Sequence, residues 1–204
     1  EISLGLVGSE MCIRDRKLYY RTGSNSDWVL LNDESLSKRI EAPLGFSADG
    51  RLAYLQVEQA DGPDAIVSWD PQSNERRTVL RDGSADPARI IRRPGSRVPV
   101  GALFLGSAPR TAFFDDASDD ARLYRSLEAG LGGAVYITSS TRDGKTVLVE
   151  TWSGSNPGDF YLYDTLGKSA RHLISRSDWI DPALAAEVRP ISLTAVSYTH
   201  LTLP

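Results

Sequence analysis

Hydrophobic positions along this chain recur mainly with a period of two, the spacing that places alternate side chains on opposite faces of a strand. The clearest runs are residues 51–57 (RLAYLQV) and 145–151 (KTVLVET). Each follows an Asp-Gly pair, Asp49-Gly50 and Asp143-Gly144, whose positive φ angles predict a tight hairpin back onto residues 45–48 and 139–142. Polar loops come next, at Asp61-Gly62-Pro63-Asp64 and Ser155-Asn156-Pro157-Gly158, and β-branched and aromatic strands resume at 65–69 and 160–163. Further turns, at residues 70–74 and 164–168, lead into outer strands at 77–80 and 171–174. Each copy therefore reads as a four-stranded antiparallel meander.

The two copies align without a gap at an offset of 94 residues, 49–80 falling on 143–174. Only five of these 32 positions are identical, but they fall where a repeated β-unit must keep them, on turn residues such as Asp49/Asp143, Gly50/Gly144 and Asp70/Asp164. Four strands in about 45 residues is the size of one propeller blade, so the offset spans two blades with a divergent one between. That middle blade is expected to hold strands at 98–105 and 111–115 and a helix around 119–131, where Leu123, Leu127 and Leu131 recur at i+4. A hairpin of 17–21 with 28–32 belongs to an earlier blade. After the last repeat, Asp181-Pro182 reads as an N-cap followed by proline at the first helical position, predicting a short helix over 183–188 that stops before Pro190. The expected fold is all-β: a partial β-propeller of about four blades, each a four-stranded antiparallel meander, with short helices in one blade and at the C-terminal exit. Such a fragment cannot close a ring, so its terminal blades are expected to expose edges and apolar faces.

Composition narrows the function classes. With 204 residues, 41% hydrophobic and 25% charged, the chain can bury a sizeable core. A net charge of −4 gives no concentrated basic face for nucleic acid, and no run approaches the roughly 20 apolar residues of a membrane span, so neither partner is expected. Residues 1–16 and 195–204 resemble translated sequencing-adapter read-through of the kind that recurs at the ends of unrelated environmental gene fragments, although 2–7 and 198–203 also read as β-prone. Set aside as artefact, they leave 17–194 as the propeller fragment. Cys12 goes with them, which removes thiol and disulfide chemistry and leaves cytoplasm and periplasm equally open.

No complete catalytic motif is present. The nearest approach to a nucleophile elbow is Gly45-Phe46-Ser47-Ala48-Asp49, better read as strand running into turn. Gly144-Lys145-Thr146 and Gly167-Lys168-Ser169 lack the upstream glycine of a phosphate loop, and Gly130-Leu131-Gly132-Gly133 lacks dinucleotide spacing. His172 is expected on an exposed outer strand and His200 in the foreign tail. Asp115, Asp116, Asp119 and Asp120 lack a calcium-loop pattern and read as a solvated helix start. Arg89, Arg92, Arg93 and Arg97 form a basic run, read as an exposed face or as partners for nearby carboxylates, with anion binding the minor alternative.

Three stretches carry a family resemblance: Pro43-Leu44-Gly45-Phe46-Ser47-Ala48-Asp49-Gly50; Arg92-Arg93-Pro94-Gly95 with Pro99-Val100-Gly101; and 153–164 followed by Trp179-Ile180-Asp181-Pro182 and Arg189-Pro190-Ile191-Ser192. Together they resemble the propeller of the prolyl oligopeptidase family of serine peptidases, particularly bacterial dipeptidyl-peptidase and acylaminoacyl-peptidase-like members, over nearly all of 17–194. The resemblance implies a parent hydrolase that cleaves peptides through a Ser-His-Asp mechanism. Those residues would lie beyond Thr194, on an α/β-hydrolase domain entered through an Arg-Asp-Gly motif, whereas Ala195-Val196-Ser197 follows here. The implied role is to gate and orient peptide substrates, and the implied partners are that missing domain and those peptides. No catalytic, cofactor-binding or metal residue is assigned to this chain, and no cofactor is expected. The alternative is a stand-alone propeller scaffold for protein binding; a propeller enzyme with a central metal is disfavoured, since inner-strand ligands are not evident.

Overall fold

The computed structural model describes residues 2–5, as a backbone path, together with 16–181, 183–186 and 188. Four antiparallel sheets follow one another along the chain. The first holds β1 (Ile2–Gly5), β2 (Lys17–Tyr20) and β3 (Val29–Asp33), closed by a single helical turn, α1 (Glu34–Ser37). The second is the meander β4 (Glu41–Phe46), β5 (Ala53–Val57), β6 (Ala65–Asp70) and β7 (Glu75–Arg81). In the third, β8 (Pro87–Arg92), β9 (Pro99–Leu105) and β10 (Pro109–Phe113) are followed by helix α2 (Asp119–Leu131) where a fourth strand would stand. The fourth is again a full meander, β11 (Ala134–Ser140), β12 (Thr146–Trp152), β13 (Asp159–Asp164) and β14 (Ser169–Ser175).

These sheets pack as successive blades, because each of three apolar clusters joins neighbours in chain order. Leu18 of β2 lies against Ala53, Leu55 and Val57 of β5 and Ala65, Val67 and Trp69 of β6, with Tyr20 meeting the Trp69 ring edge-on at 4.9 Å. The opposite face of the second sheet supplies Ile66, which packs with Ala102 and Phe104 of β9, and Tyr54, whose ring lies 4.7 Å from that of Phe114. Strand β6 is thus covered on both sides, which is why residues 65–69 are buried without alternation. Between the third and fourth sheets, Ile91, Val100 and Phe113 meet Tyr124 and Leu127 of α2 and Val135, Val147, Val149 and Tyr163. The chain is accordingly an all-β, partial β-propeller of four blades. Its end sheets leave apolar side chains in solvent, Val29 and Leu30 at one end and Leu173 and Ile174 at the other.

The 94-residue repeat is visible in atomic detail. In the second blade Ser47 Oγ donates to Asp49 Oδ1 at 2.5 Å, and the Arg51 and Leu52 amides donate to Asp49 Oδ1 and Ser47 Oγ at 3.1 and 2.9 Å. In the fourth, Thr141 Oγ1 donates to Asp143 Oδ1 at 2.6 Å, and the Lys145 and Thr146 amides repeat the other two bonds at 3.2 and 3.1 Å. Register shifts recur at the same offset, between Pro43 and Gly45 and between Ile137 and Ser139, and again between Ile66 and Val67 and between Phe160 and Tyr161. The loops are wider than the expected tight hairpins. Only the glycines take positive φ, 71° at Gly50 and 69° at Gly144, and each amide bonds the carbonyl three residues back. The Ser/Thr and Asp side chains cap a single turn, so the strands end earlier, at Phe46 and Ser140.

Two other expectations meet the structure differently. Asp181 does cap, its carboxylate accepting the Ala183 amide at 2.9 Å, but residues 183–184 form a turn and the described residues 183–186 and 188 are not helical; Pro182 and Glu187 lie outside the described residues. With Leu184 and Val188 exposed, this short segment has no buried apolar face to repay helix nucleation. The helix of the third blade forms over 119–131 as expected, capped by Ser118, whose Oγ accepts the Ala121 amide at 3.2 Å. Ile2–Gly5, within the segment expected to be adapter-derived, pairs as an edge strand with Lys17–Tyr20. An open sheet edge accepts any β-prone segment through backbone bonds, so the pairing carries no information about origin.

A buried carboxylate ties the third and fourth blades together. Glu150 of β12, its side chain 6% exposed, accepts from Arg89 Nη1 of β8 at 2.8 Å and from Arg176 Nη2 just past β14. Arg89 also covers the rings of Tyr136 and Trp152, 5.0 and 5.8 Å from their centroids. Replacing Arg89 with Met leaves Glu150 half-paired in a buried setting and is expected to cost about 1–3 kcal/mol, read from urea unfolding curves. A second expectation concerns acid. Asp49 and Asp143 are held below the usual carboxylate range, first by the Ser47 and Thr141 hydroxyls and then by backbone amides. Their stabilisation is therefore complete above the unfolded value of about 3.9 and is lost as pH falls through the lower folded values. An Asp49→Asn, Asp143→Asn double variant should melt lower at neutral pH and lose less of its melting temperature between about pH 5 and 2, measured by circular dichroism.

Candidate functional site

The four arginines of the basic run are divided by the fold. Arg89 is committed to Glu150, and Arg93 pairs with the buried Asp120 at 3.0 Å. Arg92 and Arg97 are exposed and line a groove of about 680 Å3 between the inner strand β4 and the 93–98 turn that joins β8 to β9. Two local features build that turn. The Arg93 amide donates to the Val98 carbonyl at 3.0 Å, closing it, and Gly95 has φ of 75° with its missing Cβ facing the Arg142 carbonyl and the Gly144 amide of the next blade, 2.6 and 2.8 Å from where that atom would lie. Any side chain there would drive the blades apart.

Strand β4 approaches the same turn through Gly45, at φ 146°, whose missing Cβ would meet Pro99 Cγ at 3.0 Å. Arg92 Nη1 donates to the Leu44 carbonyl at 3.0 Å and lies 3.5 Å from that of Arg97, so its guanidinium is fixed at the groove wall by backbone alone. Pro43, Leu44, Phe46 and Val98 supply the apolar remainder. Two guanidinium groups on an apolar cleft can engage an anion attached to a hydrophobic body.

The remaining candidates are taken up by the fold. Ser47 spends its hydroxyl within the Asp49 turn, and Lys145 and Thr146 belong to the equivalent turn of the fourth blade. Gly132 follows α2 with φ of 72°, its amide donating to the Glu128 carbonyl, so the glycine cluster ends a helix. Asp115 accepts the Ala117 amide, Asp116 pairs with Arg125, Asp119 with Arg122, and Asp120 with Arg93. Among the described residues no group of three or more histidine, cysteine or acidic side chains is arranged to hold a metal.

His172 has more company than its place on an outer strand implies. Its Nε2 lies 3.1 Å from Ser175 Oγ and 3.4 Å from Asp159 Oδ1, while its ring stands edge-on to Tyr161. The residue types are those of a hydrolytic triad, but the wiring is not. Ser175 donates directly to Asp159 at 2.5 Å, and one imidazole nitrogen meets both partners, so no proton path runs from serine through imidazole to carboxylate. Asp159 is held below the usual range first by that serine, then by Asn156 and His172. The cluster ties β13 to β14; the residue spacing could not have revealed it, because the register shift between Phe160 and Tyr161 sets which residues face one another. His200 lies outside the described residues.

No family model matches the sequence, and no curated protein matches it. Among solved structures, the fold is similar to a prolyl endopeptidase at 16% identity and a TM-score of 0.47, covering 80% of this chain and 27% of that one. It is also similar to TolB from Acinetobacter baumannii at 12% identity and a TM-score of 0.44, covering 80% of this chain and 39% of that one. The chain thus spans well under half the length of either protein, and likeness at this level assigns neither a family nor an activity.

Proposed function

We propose that this chain is the non-catalytic propeller portion of a larger serine peptidase of the prolyl oligopeptidase type, in which it gates and orients peptide substrates for an α/β-hydrolase domain. The observation that carries the reading is the repeated blade itself, with its Ser/Thr-x-Asp-Gly turns at 47–50 and 141–144, taken together with the Trp179-Ile180-Asp181-Pro182 passage after the last strand. In that role a rigid ring excludes folded proteins while extended chains pass, and chemistry resides elsewhere. Residues 17–194 are the native unit on this reading, and the partners are the hydrolase domain and the peptides. A stand-alone scaffold is the second reading, favoured by the arginine groove, a binding feature that needs no second domain.

The native gene downstream of codon 194 separates the two. A G-x-S-x-G motif within an α/β-hydrolase pattern supports the peptidase propeller, and an early stop or further blades support the scaffold. The purified chain is expected to show no turnover of peptide nitroanilides above buffer; measurable hydrolysis abolished by a serine-directed inhibitor overturns both readings.

A further inference from the structure

We infer that the groove between β4 and the 93–98 turn is a binding site for the free C-terminal carboxylate of a peptide that ends in an apolar residue. The inference does not rest on the peptidase reading, since a scaffold carrying this groove would bind the same ligand.

Charge pairing points to it. Across this net-acidic chain arginines are spent on carboxylates: Arg51 on Asp70, Arg76 on Glu41, Arg89 and Arg176 on Glu150, Arg93 on Asp120, Arg110 on Asp82. Arg92 and Arg97, like Arg39, Arg81, Arg142 and Arg171, make no ion pair among the described residues, and they are set apart by standing together on one groove. Among the described residues, no acidic side chain lines their groove. Arg92 is held by the Leu44 carbonyl, so part of the ordering that anion binding demands is already done in the free protein.

The walls choose the class of anion. A carboxylate presents two oxygens, which two guanidinium groups can satisfy while the attached side chain rests on Leu44, Phe46 and Val98. A phosphate would turn further charged oxygens against apolar surface without donors, which is unfavourable. The one hydroxyl at the rim, on Ser47, already donates to Asp49 and accepts the Leu52 amide. The groove is also of the size that takes a small organic ligand or the end of a peptide.

The test is calorimetric titration of the full 204-residue chain with acetyl-Ala-Ala-Phe as the free acid and as the C-terminal amide. The acid is expected to bind, and amidation to weaken binding by about tenfold or more. Arg97→Gln should weaken the acid by a similar factor with an unchanged melting temperature, because Arg97 sits on an exposed turn. The acid and amide comparison uses unaltered protein and so stands even if the variant misfolds. Equal binding of the amide, equal binding by a peptide ending in glycine, inorganic phosphate competing as well as the peptide, or a groove closed by a second copy of the chain in sedimentation would each overturn the inference.

Discussion

Each blade is held by the apolar side chains that it shares with the blade beside it. A four-stranded sheet has two faces and no interior, so a blade standing alone would leave one set of hydrophobic residues in water. Here Leu55 and Trp69 face the first sheet, Ile66 and Tyr54 face the third, and Val147 and Val149 face back toward the third from the fourth. Burial of this kind stabilises at about 25 cal/mol per Å2 of apolar surface, and it is shared between neighbours rather than owned by one unit. The consequence shows at the two ends, where Val29 and Leu30 of β3 and Leu173 and Ile174 of β14 remain in solvent.

Polar chemistry then fixes how those stacked sheets are aimed. The Ser/Thr-Asp-Gly turn closes the inner hairpin of two blades with the same three side-chain bonds, so the loops at that end of the propeller have a defined shape. Missing side chains at Gly45 and Gly95 let inner strand and turn approach across blade boundaries. The groove lined by Arg92 and Arg97 follows from both: its floor needs the close approach, and its charge survives because neighbouring carboxylates are already engaged elsewhere. Binding capacity at this end of the molecule is thus a by-product of how blades meet, which suits a propeller whether it serves an attached enzyme or a separate partner.

The divergent third blade shows how much variation the stacking tolerates. Helix α2, which follows β10 in the chain where the meander blades have a fourth strand, contributes Ala121, Tyr124 and Leu127 to the same inter-blade cluster, and the Tyr124 hydroxyl accepts the Ile137 amide at 3.0 Å. Burial pushes the Tyr124 phenol above its usual range. What the stacking demands of the segment after the third strand is an apolar face and satisfied hydrogen bonds, not a strand as such.

Most strands, the 94-residue repeat and the extent of α2 were legible in residue order, because each is set by short-range chemistry: period-two alternation, Asp-Gly turns, leucines recurring at i+4; β8 (Pro87–Arg92), whose arginine-rich stretch reads as a basic run, was not predicted as a strand. The same local signals failed where tertiary packing had the last word. Asp181 capped a turn that found no surface to continue on, and the Asp-Gly loops opened wider than a two-residue hairpin because Ser47 and Thr141 side chains completed them. Contacts between blades lay wholly beyond the sequence. Arg89 and Glu150 are 61 positions apart, and Arg92 and Leu44 are 48, so which arginine is neutralised and which faces an open groove depends on blade adjacency, a property of stacked sheets that no local pattern encodes.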